Sequence, residues 1–439
     1  MTVGMLAAMS SALPSISSQA TAVSRDRGDA CPGTLRLHAA DDGALARVRI
    51  PGGVLGVVQA EALADAARRL GDGDLHLTSR GNVQLRGLRD GCGGELAGLL
   101  AAAGLLPSRG HERVRNIVAS PLSGLDGRGL RDVRPWLSAL DAALCASERA
   151  RELSGRFLFA LDDGRGDVTG LGADVTVRAA GDDHALVSLG STDDAWRVAA
   201  GEASRAALLA AEAFLDVARE SGARVWRVDE LAVPARVLTR AVDRRLSGAG
   251  VAHVTERTHT SRTDGPPPGL VGNALCVHVP LGRLTGPQWR ELARVAAPTR
   301  DAELRLTPWR GVVVPVRGLG ATDTADALGR LSAAGLVTDA ASPWPRVGAC
   351  IGRPGCGKSH ADVRADAAGG LSAAGRSPLP LYWSGCERRC GHPRGERIDL
   401  VAVPEGGYRL TVGAPGAPTR TTVLTDPSHL AAALAAITP

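Results

Sequence analysis

Three observations predict an α+β fold in which two related units alternate with two mixed α/β units, in the order A, B, A′, B′. A strand, helix, strand segment occurs twice, at residues 45–88 and 274–319. A long stretch of mixed strand and helix pattern separates the copies, and a glycine- and proline-rich region with four cysteines follows the second. The pairs Val48/Val277, Pro51/Pro280, Gly53/Gly282, Gln59/Gln288, Leu63/Leu292, Leu75/Leu304, Leu77/Leu306 and Thr78/Thr307 all keep one offset of 229. After a two-residue insertion, Arg86-Gly87-Leu88 matches Arg317-Gly318-Leu319. One offset held over so many positions identifies an internal duplication, the feature to seek before any other.

Each copy reads in the same order. Leu45 to Ile50 alternates as a strand, 59–70 carries helical apolar spacing, and Leu75 to Leu88 forms a strand pair around Arg80-Gly81-Asn82. Between the copies, Val198–Glu220 is amphipathic with helical period. Beyond the second copy, Ile398–Val403 and Tyr408–Val412 read as short strands.

The chain's 439 residues exceed what one core supports, so two to four packed units are expected. Charged residues make up 22% and hydrophobic residues 44%, which excludes a disordered chain, and no apolar run is long enough for a membrane helix. The net charge of +5 comes with no basic stripe, so no nucleic-acid partner is expected. Lys358 is the only lysine among 51 basic residues, a bias of composition rather than of function. The N-terminal stretch lacks a basic n-region and reads as a disordered lead, which implies a cytoplasmic protein.

Four of the eight cysteines fall between positions 350 and 390. Five residues separate Cys350 from Cys356 and three separate Cys386 from Cys390, a spacing that would put the second pair on one face of a helical turn. Four soft thiolates so spaced suit an iron–sulfur cluster better than a zinc ribbon, which favours Cys-x2-Cys pairs. The plainer alternative is four core cysteines, whereas Cys31, Cys92, Cys145 and Cys276 read as core or surface cysteines. Gly352-Arg353-Pro354-Gly355-Cys356-Gly357-Lys358-Ser359 also has the letters of a phosphate-binding loop. That reading needs a buried strand before it and a Walker-B-type aspartate after it. Trp344 to Ala349 is a poor strand by sequence, and no such aspartate is evident.

These residues resemble a known family. Cys-x5-Cys, then Ser384-Gly385-Cys386-x3-Cys390 with Pro393 behind it, and the duplicated segment ending in Leu77-Thr78-Ser79-Arg80-Gly81, are similar to the sirohaem sulfite and nitrite reductases. The resemblance implies duplicated ferredoxin-like half-domains plus two mixed α/β domains of sirohaem/4Fe-4S type. The expected boundaries are a lead at 1–28, half-domains at 29–95 and 251–322, a reductase-like α/β domain at 96–250, and a 4Fe-4S-binding domain at 323–439. Within that superfamily, Ala30-Cys31-Pro32-Gly33-Thr34-Leu35, the stretch Leu45 to Gly53 and the compact length resemble the precorrin-3B synthases.

The same resemblance implies that Cys350, Cys356, Cys386 and Cys390 hold a 4Fe-4S cluster. It also implies that Arg80, Arg115 and Arg156 contact the tetrapyrrole, guanidinium forks being suited to its carboxylates. Where the reductases carry two lysines spaced by one residue, this chain has Arg156 and Leu158. The lost cation argues against reducing sulfite or nitrite and leaves binding of a tetrapyrrole substrate open. The implied reaction is oxygen-dependent hydroxylation and lactone formation on precorrin-3A in aerobic cobalamin biosynthesis. Dioxygen and an electron donor, NADH-linked or ferredoxin-type, are the implied partners, with a mononuclear non-haem iron near the cluster. No two-His-one-carboxylate spacing is readable for that iron, which leaves His392 and His360 as candidates. The alternative is a sirohaem-dependent nitrite or sulfite reductase.

Overall fold

The computed structural model describes residues 29, 31–181, 183–258, 263–393, 395–412 and 420–437, so the lead expected at 1–28 lies outside the described residues. Four sheets carry the described residues. The first runs His38–Ala40, Gly43–Val48, Val83–Leu88, Leu75–Leu77, Arg283–Leu284, and its pseudo-copy runs Gly269–Val271, Ala274–His278, Gly311–Pro315, Glu303–Leu306, Val54–Gly56.

The two copies exchange strands. Val54–Gly56 of the first pairs antiparallel with Glu303–Leu306 of the second, Leu55 opposite Leu304. In return Arg283–Leu284 pairs with Leu75–Leu77, Leu284 opposite Leu75. The chain enters each exchanged strand through a matching tight turn. Gly52 (φ 61) and its counterpart Leu281 (φ 53) are both left-handed, and Gly53 and Gly282 follow at φ 71. The helices Val57–Leu70 and Gly286–Ala296 pack on each other, and one apolar core runs through both copies. Alternation supplies it, since Leu75, Leu77, Val83 and Leu85 all point to the helices. The two half-domains are thus one packed body.

The intervening unit is a six-stranded sheet, His253–Arg257, Asp194–Ala199, His184–Leu189, Val175–Ala180, Phe159–Asp162, Ile117–Ala119, with its own core. The amphipathic stretch at 198–220 resolves into the end of strand Asp194–Ala199 and helix Ala203–Glu220. The C-terminal unit is a five-stranded sheet, Val347–Ala349, Leu381–Ser384, Ile398–Ala402, Tyr408–Val412, Arg420–Leu424, with a third core that includes Trp383 and Tyr408. No described helix is long and apolar enough to cross a membrane.

Two local expectations change. Cys386 and Cys390 lie in a turn rather than a helix: the Arg389 N–H reaches the Cys386 carbonyl at 3.1 Å, and Arg389 takes φ 46, which no helix continues. The phosphate-loop letters do have a strand before them, Val347–Ala349, yet the following helix starts only at Val363 and is capped by the Asp362 carboxylate. An acidic cap repels phosphate.

Candidate functional site: an arginine-ringed cavity beside four cysteines

The four late cysteines gather at the C-terminal edge of the last sheet. Cys350 follows strand Val347–Ala349, its N–H held by the Trp383 carbonyl at 2.9 Å, while its Sγ accepts the Gly385 N–H at 3.2 Å. Cys390 is fixed through its carbonyl, which accepts the Tyr382 hydroxyl at 2.7 Å. Gly385 admits no larger residue, because a Cβ there would overlap the Ser359 hydroxyl. The loop bearing Cys356 is anchored by the first half-domain. Asp41 accepts the Gly357 N–H at 2.7 Å, and Arg86, paired twice with Asp42 at 2.8 Å, donates to the Gly355 carbonyl.

Burial pushes the Cys390 thiol up, and the charges of Cys350, Cys386 and Cys356 push it further, so all four sulfurs lie within electrostatic reach. Among the described residues no three His, Cys, Asp or Glu side chains close on one point, as a single ion would require. Four thiols within electrostatic reach of one another suit a cluster, whose ligands stand apart. The Ser384 hydroxyl, at the end of strand Leu381–Ser384 and two residues before Cys386, is buried with no partner. The residues present fit a 4Fe-4S group, and among the described residues no three ligands close around His392 or His360 as a mononuclear iron would need. His392 is bonded through Nε2 to Asp399 at 2.6 Å, and His360 is exposed with its backbone N–H on the Gly385 carbonyl.

Cys350, Cys356 and Cys390 border a cavity of about 1100 Å³. Its floor is the face of the first sheet turned away from the helices, where alternation places Arg47, His76, Gln84 and Arg86. Arg156 and Arg227 enter from the intervening unit, Arg310 from the second half-domain, and Lys358, Arg364 and Arg388 from the C-terminal unit. Some of these cations are already engaged: Arg227 with Asp174 at 2.6 Å, Arg156 over the Trp226 ring at 4.6 Å, Arg310 over Tyr382 at 5.9 Å.

Arg80 is different. Its guanidinium has no described hydrogen-bond partner, and burial, then the charge of Arg227, pull its pKa down to about 10. Arg364 is also pulled down to about 10, by burial and then by Arg310, and donates only its Nε to the Cys350 carbonyl, at 3.2 Å. Both stay cationic at neutral pH. Half-buried cations so poorly paired are arranged for anions that arrive.

Of the arginines singled out by sequence, Arg80 and Arg156 line the cavity and Arg115 does not. Arg115 is buried in a two-pronged bond to Asp141, both contacts at 2.7 Å, with a third donor on the Leu105 carbonyl. It ties helix Arg134–Ala146 to the preceding loop and has no fork left for a ligand. Leu158 is buried in an apolar cluster with Val118, Ala160 and Val168.

Sequence reasoning missed Arg47, His76, Arg227, Arg310 and Arg364. The repeat held a signal for the floor. Leu45, Arg47 and Gln84 correspond to Ala274, Cys276 and Val313, which pack under Leu122 and Leu125. One copy's face is capped by the intervening unit, and the other is polar and open.

Such a site on a strand-exchanged, duplicated α+β frame defines an oxidoreductase class. Residues 38–102 and 270–333 each match the nitrite/sulfite reductase ferredoxin-like half domain. The ferredoxin–nitrite reductase of Synechococcus elongatus is 30% identical over 81% of this chain and 76% of its own length. The spinach (Spinacia oleracea) chloroplast enzyme is 25% identical over 79% of this chain and 64% of its own length. The precorrin-3B synthase of a Sinorhizobium species is 28% identical over 97% of this chain and 91% of its own length. The solved NirA protein of Mycobacterium tuberculosis shares the fold, with a TM-score of 0.63 at 19% identity over 89% of this chain and 79% of that one. The chain belongs to the nitrite/sulfite reductase family and is an oxidoreductase.

Proposed function

We propose that the protein is an oxygen-dependent precorrin-3B synthase, which hydroxylates a carboxylate-fringed tetrapyrrole and closes a ring acetate into a lactone. One oxygen atom of dioxygen enters the macrocycle and the other leaves as water. Two electrons and two protons come from a ferredoxin-type or NADH-linked donor. Cys350, Cys356, Cys386 and Cys390 would hold a 4Fe-4S cluster, which supplies single-electron transfer. Arg47, Arg80 and Arg364 bind the peripheral carboxylates and fix which macrocycle edge meets the cysteine wall. Arg156, stacked on Trp226, limits the mouth.

The observation that carries this reading is Leu158. In the resembling reductases a second lysine stands there, whereas here an alkyl chain is buried away from the cavity. The near end-to-end match with a synthase, against partial coverage of longer nitrite reductases, supports the same reading.

The 30% identity to a nitrite reductase favours a second reading, a sirohaem-dependent nitrite or sulfite reductase. Protein purified without oxygen separates them. The synthase reading expects a broad cluster shoulder alone and a precorrin-3A product heavier by one oxygen atom after dioxygen and reductant are added. Sharp chlorin bands with turnover of nitrite or sulfite would establish the alternative.

A further inference from the structure

His76 is 6% exposed, lies in strand Leu75–Leu77, and turns toward the cavity floor while Leu75 and Leu77 enter the core. Neither ring nitrogen has a hydrogen-bond partner. Gln84 is a cross-strand partner, and the other groups facing it are charged. Asp72, on the loop after the first long helix, stands 4.0 Å from Nε2, beyond hydrogen-bond reach. Arg364 comes from the C-terminal unit and Arg86 from the neighbouring strand. Arg283 sits opposite in the ladder and is paired with Asp74. An unsatisfied buried polar side chain destabilises the fold. Such a cost is expected where a ligand completes the pairing.

The duplication makes this position stand out. The counterpart of His76 in the second copy is Arg305, which donates to the Pro121 and Ser123 carbonyls at 2.9 and 2.8 Å and to Glu303 at 2.9 Å. There a cation is held through its Nη1 by the loop that caps the face and through its Nε by Glu303. In the first copy the same place borders the cavity, and no described residue supplies its partner.

We propose that His76, together with Arg364, anchors one carboxylate of the macrocycle, and that the imidazole takes up a proton as that carboxylate docks. The inference rests on the tetrapyrrole reading of the cavity. Burial and the charges of Arg364 and Arg86 hold the imidazole below its ordinary pKa while the site is open. An arriving carboxylate offsets those two cations, and Asp72 on the far side then favours the imidazolium. The hydrogen bond so formed is charge-assisted on both sides.

The test is calorimetric titration of the full chain with uroporphyrin I, an octacarboxylate macrocycle, at pH 7.5 in buffers of different ionisation enthalpy. Wild type should take up about one proton more per macrocycle than His76→Gln, and the variant should bind about tenfold more weakly. His76→Asn provides a second variant should the first not fold, and the melting curve of each confirms the fold. Equal proton uptake in wild type and variant, with binding intact, overturns the role of His76 and leaves the tetrapyrrole reading standing. No binding of the probe by wild type overturns that reading and the inference together.

Discussion

Trp289 donates its indole N–H to the carbonyl of Ala60 at 2.7 Å, and these two residues are each other's counterparts, 229 positions apart in the repeat. They meet where the two long helices of the copies cross. Trp289 is wholly buried and occupies space that alanine leaves free on the other side.

Removing the indole should therefore loosen both copies at once. Trp289→Phe, which deletes the donor but keeps a ring, is expected to cost about 1 kcal/mol, and Trp289→Ala about 3–5 kcal/mol. Denaturant unfolding followed by circular dichroism checks the order. An alanine variant as stable as wild type would mean that the copies do not depend on this contact.

Serine at Cys350, Cys356, Cys386 or Cys390, one at a time, should lower the iron and acid-labile sulfide of anaerobically purified protein, because a hydroxyl ligates iron poorly. Serine at Cys31, Cys92, Cys145 or Cys276 should leave both unchanged. Metal and sulfide assays on the eight variants decide; full content in the first four rejects the ligand set.

Arg80 and Arg115 should part company. Arg80→Ala is expected to weaken macrocycle binding by about 1.5–3 kcal/mol with little change in melting temperature, since its guanidinium has no described protein hydrogen bond to lose. Arg115→Ala leaves Asp141 without its fork and should cost about 3 kcal/mol of stability, with affinity kept in the folded protein. Titration and thermal melts of both variants read the two effects separately.

The reach of sequence alone depends on the kind of signal. The repeat and the cysteine spacing are local patterns, and both are legible. Arg115 misleads because its partner Asp141 lies 26 residues away, and only folding brings the two together. The cavity arginines are hidden by an almost lysine-free composition, in which one more arginine carries no information. The Cys386–Cys390 turn depends on a left-handed Arg389, a conformation that spacing does not announce. Domain limits at 29–95 and 251–322 cannot anticipate that each copy lends the other a strand.

A pH effect is expected away from the cavity. Asp167, bonded to the Ser120 hydroxyl at 2.6 Å, is pushed up to about 7 by burial, with the Asp162 carboxylate adding to it. The nearby Arg165 is directed to Asp126 and Asp163 and stands 3.9 Å from Asp167. A folded pKa above the unfolded value means the fold favours the neutral acid. Its stabilisation is full below about pH 4 and is lost as pH rises toward 7, by up to about 1.4 kcal/mol per unit. Asp167→Asn should therefore gain on wild type as pH rises from 5 to 8. Unfolding free energies across that range check the slope, and parallel curves would reject the assignment.

The exchanged strands also bear on descent. When Val54–Gly56 completes the later sheet and Arg283–Leu284 the earlier one, neither copy can be excised with its sheet whole. Trading an identical element between copies is a low-cost way to join them, and here both copies lie in one chain. Two copies in one chain have no obligation to keep their surfaces alike. One could then be walled off with cysteine, valine and alanine, while its twin was free to collect arginines and a histidine.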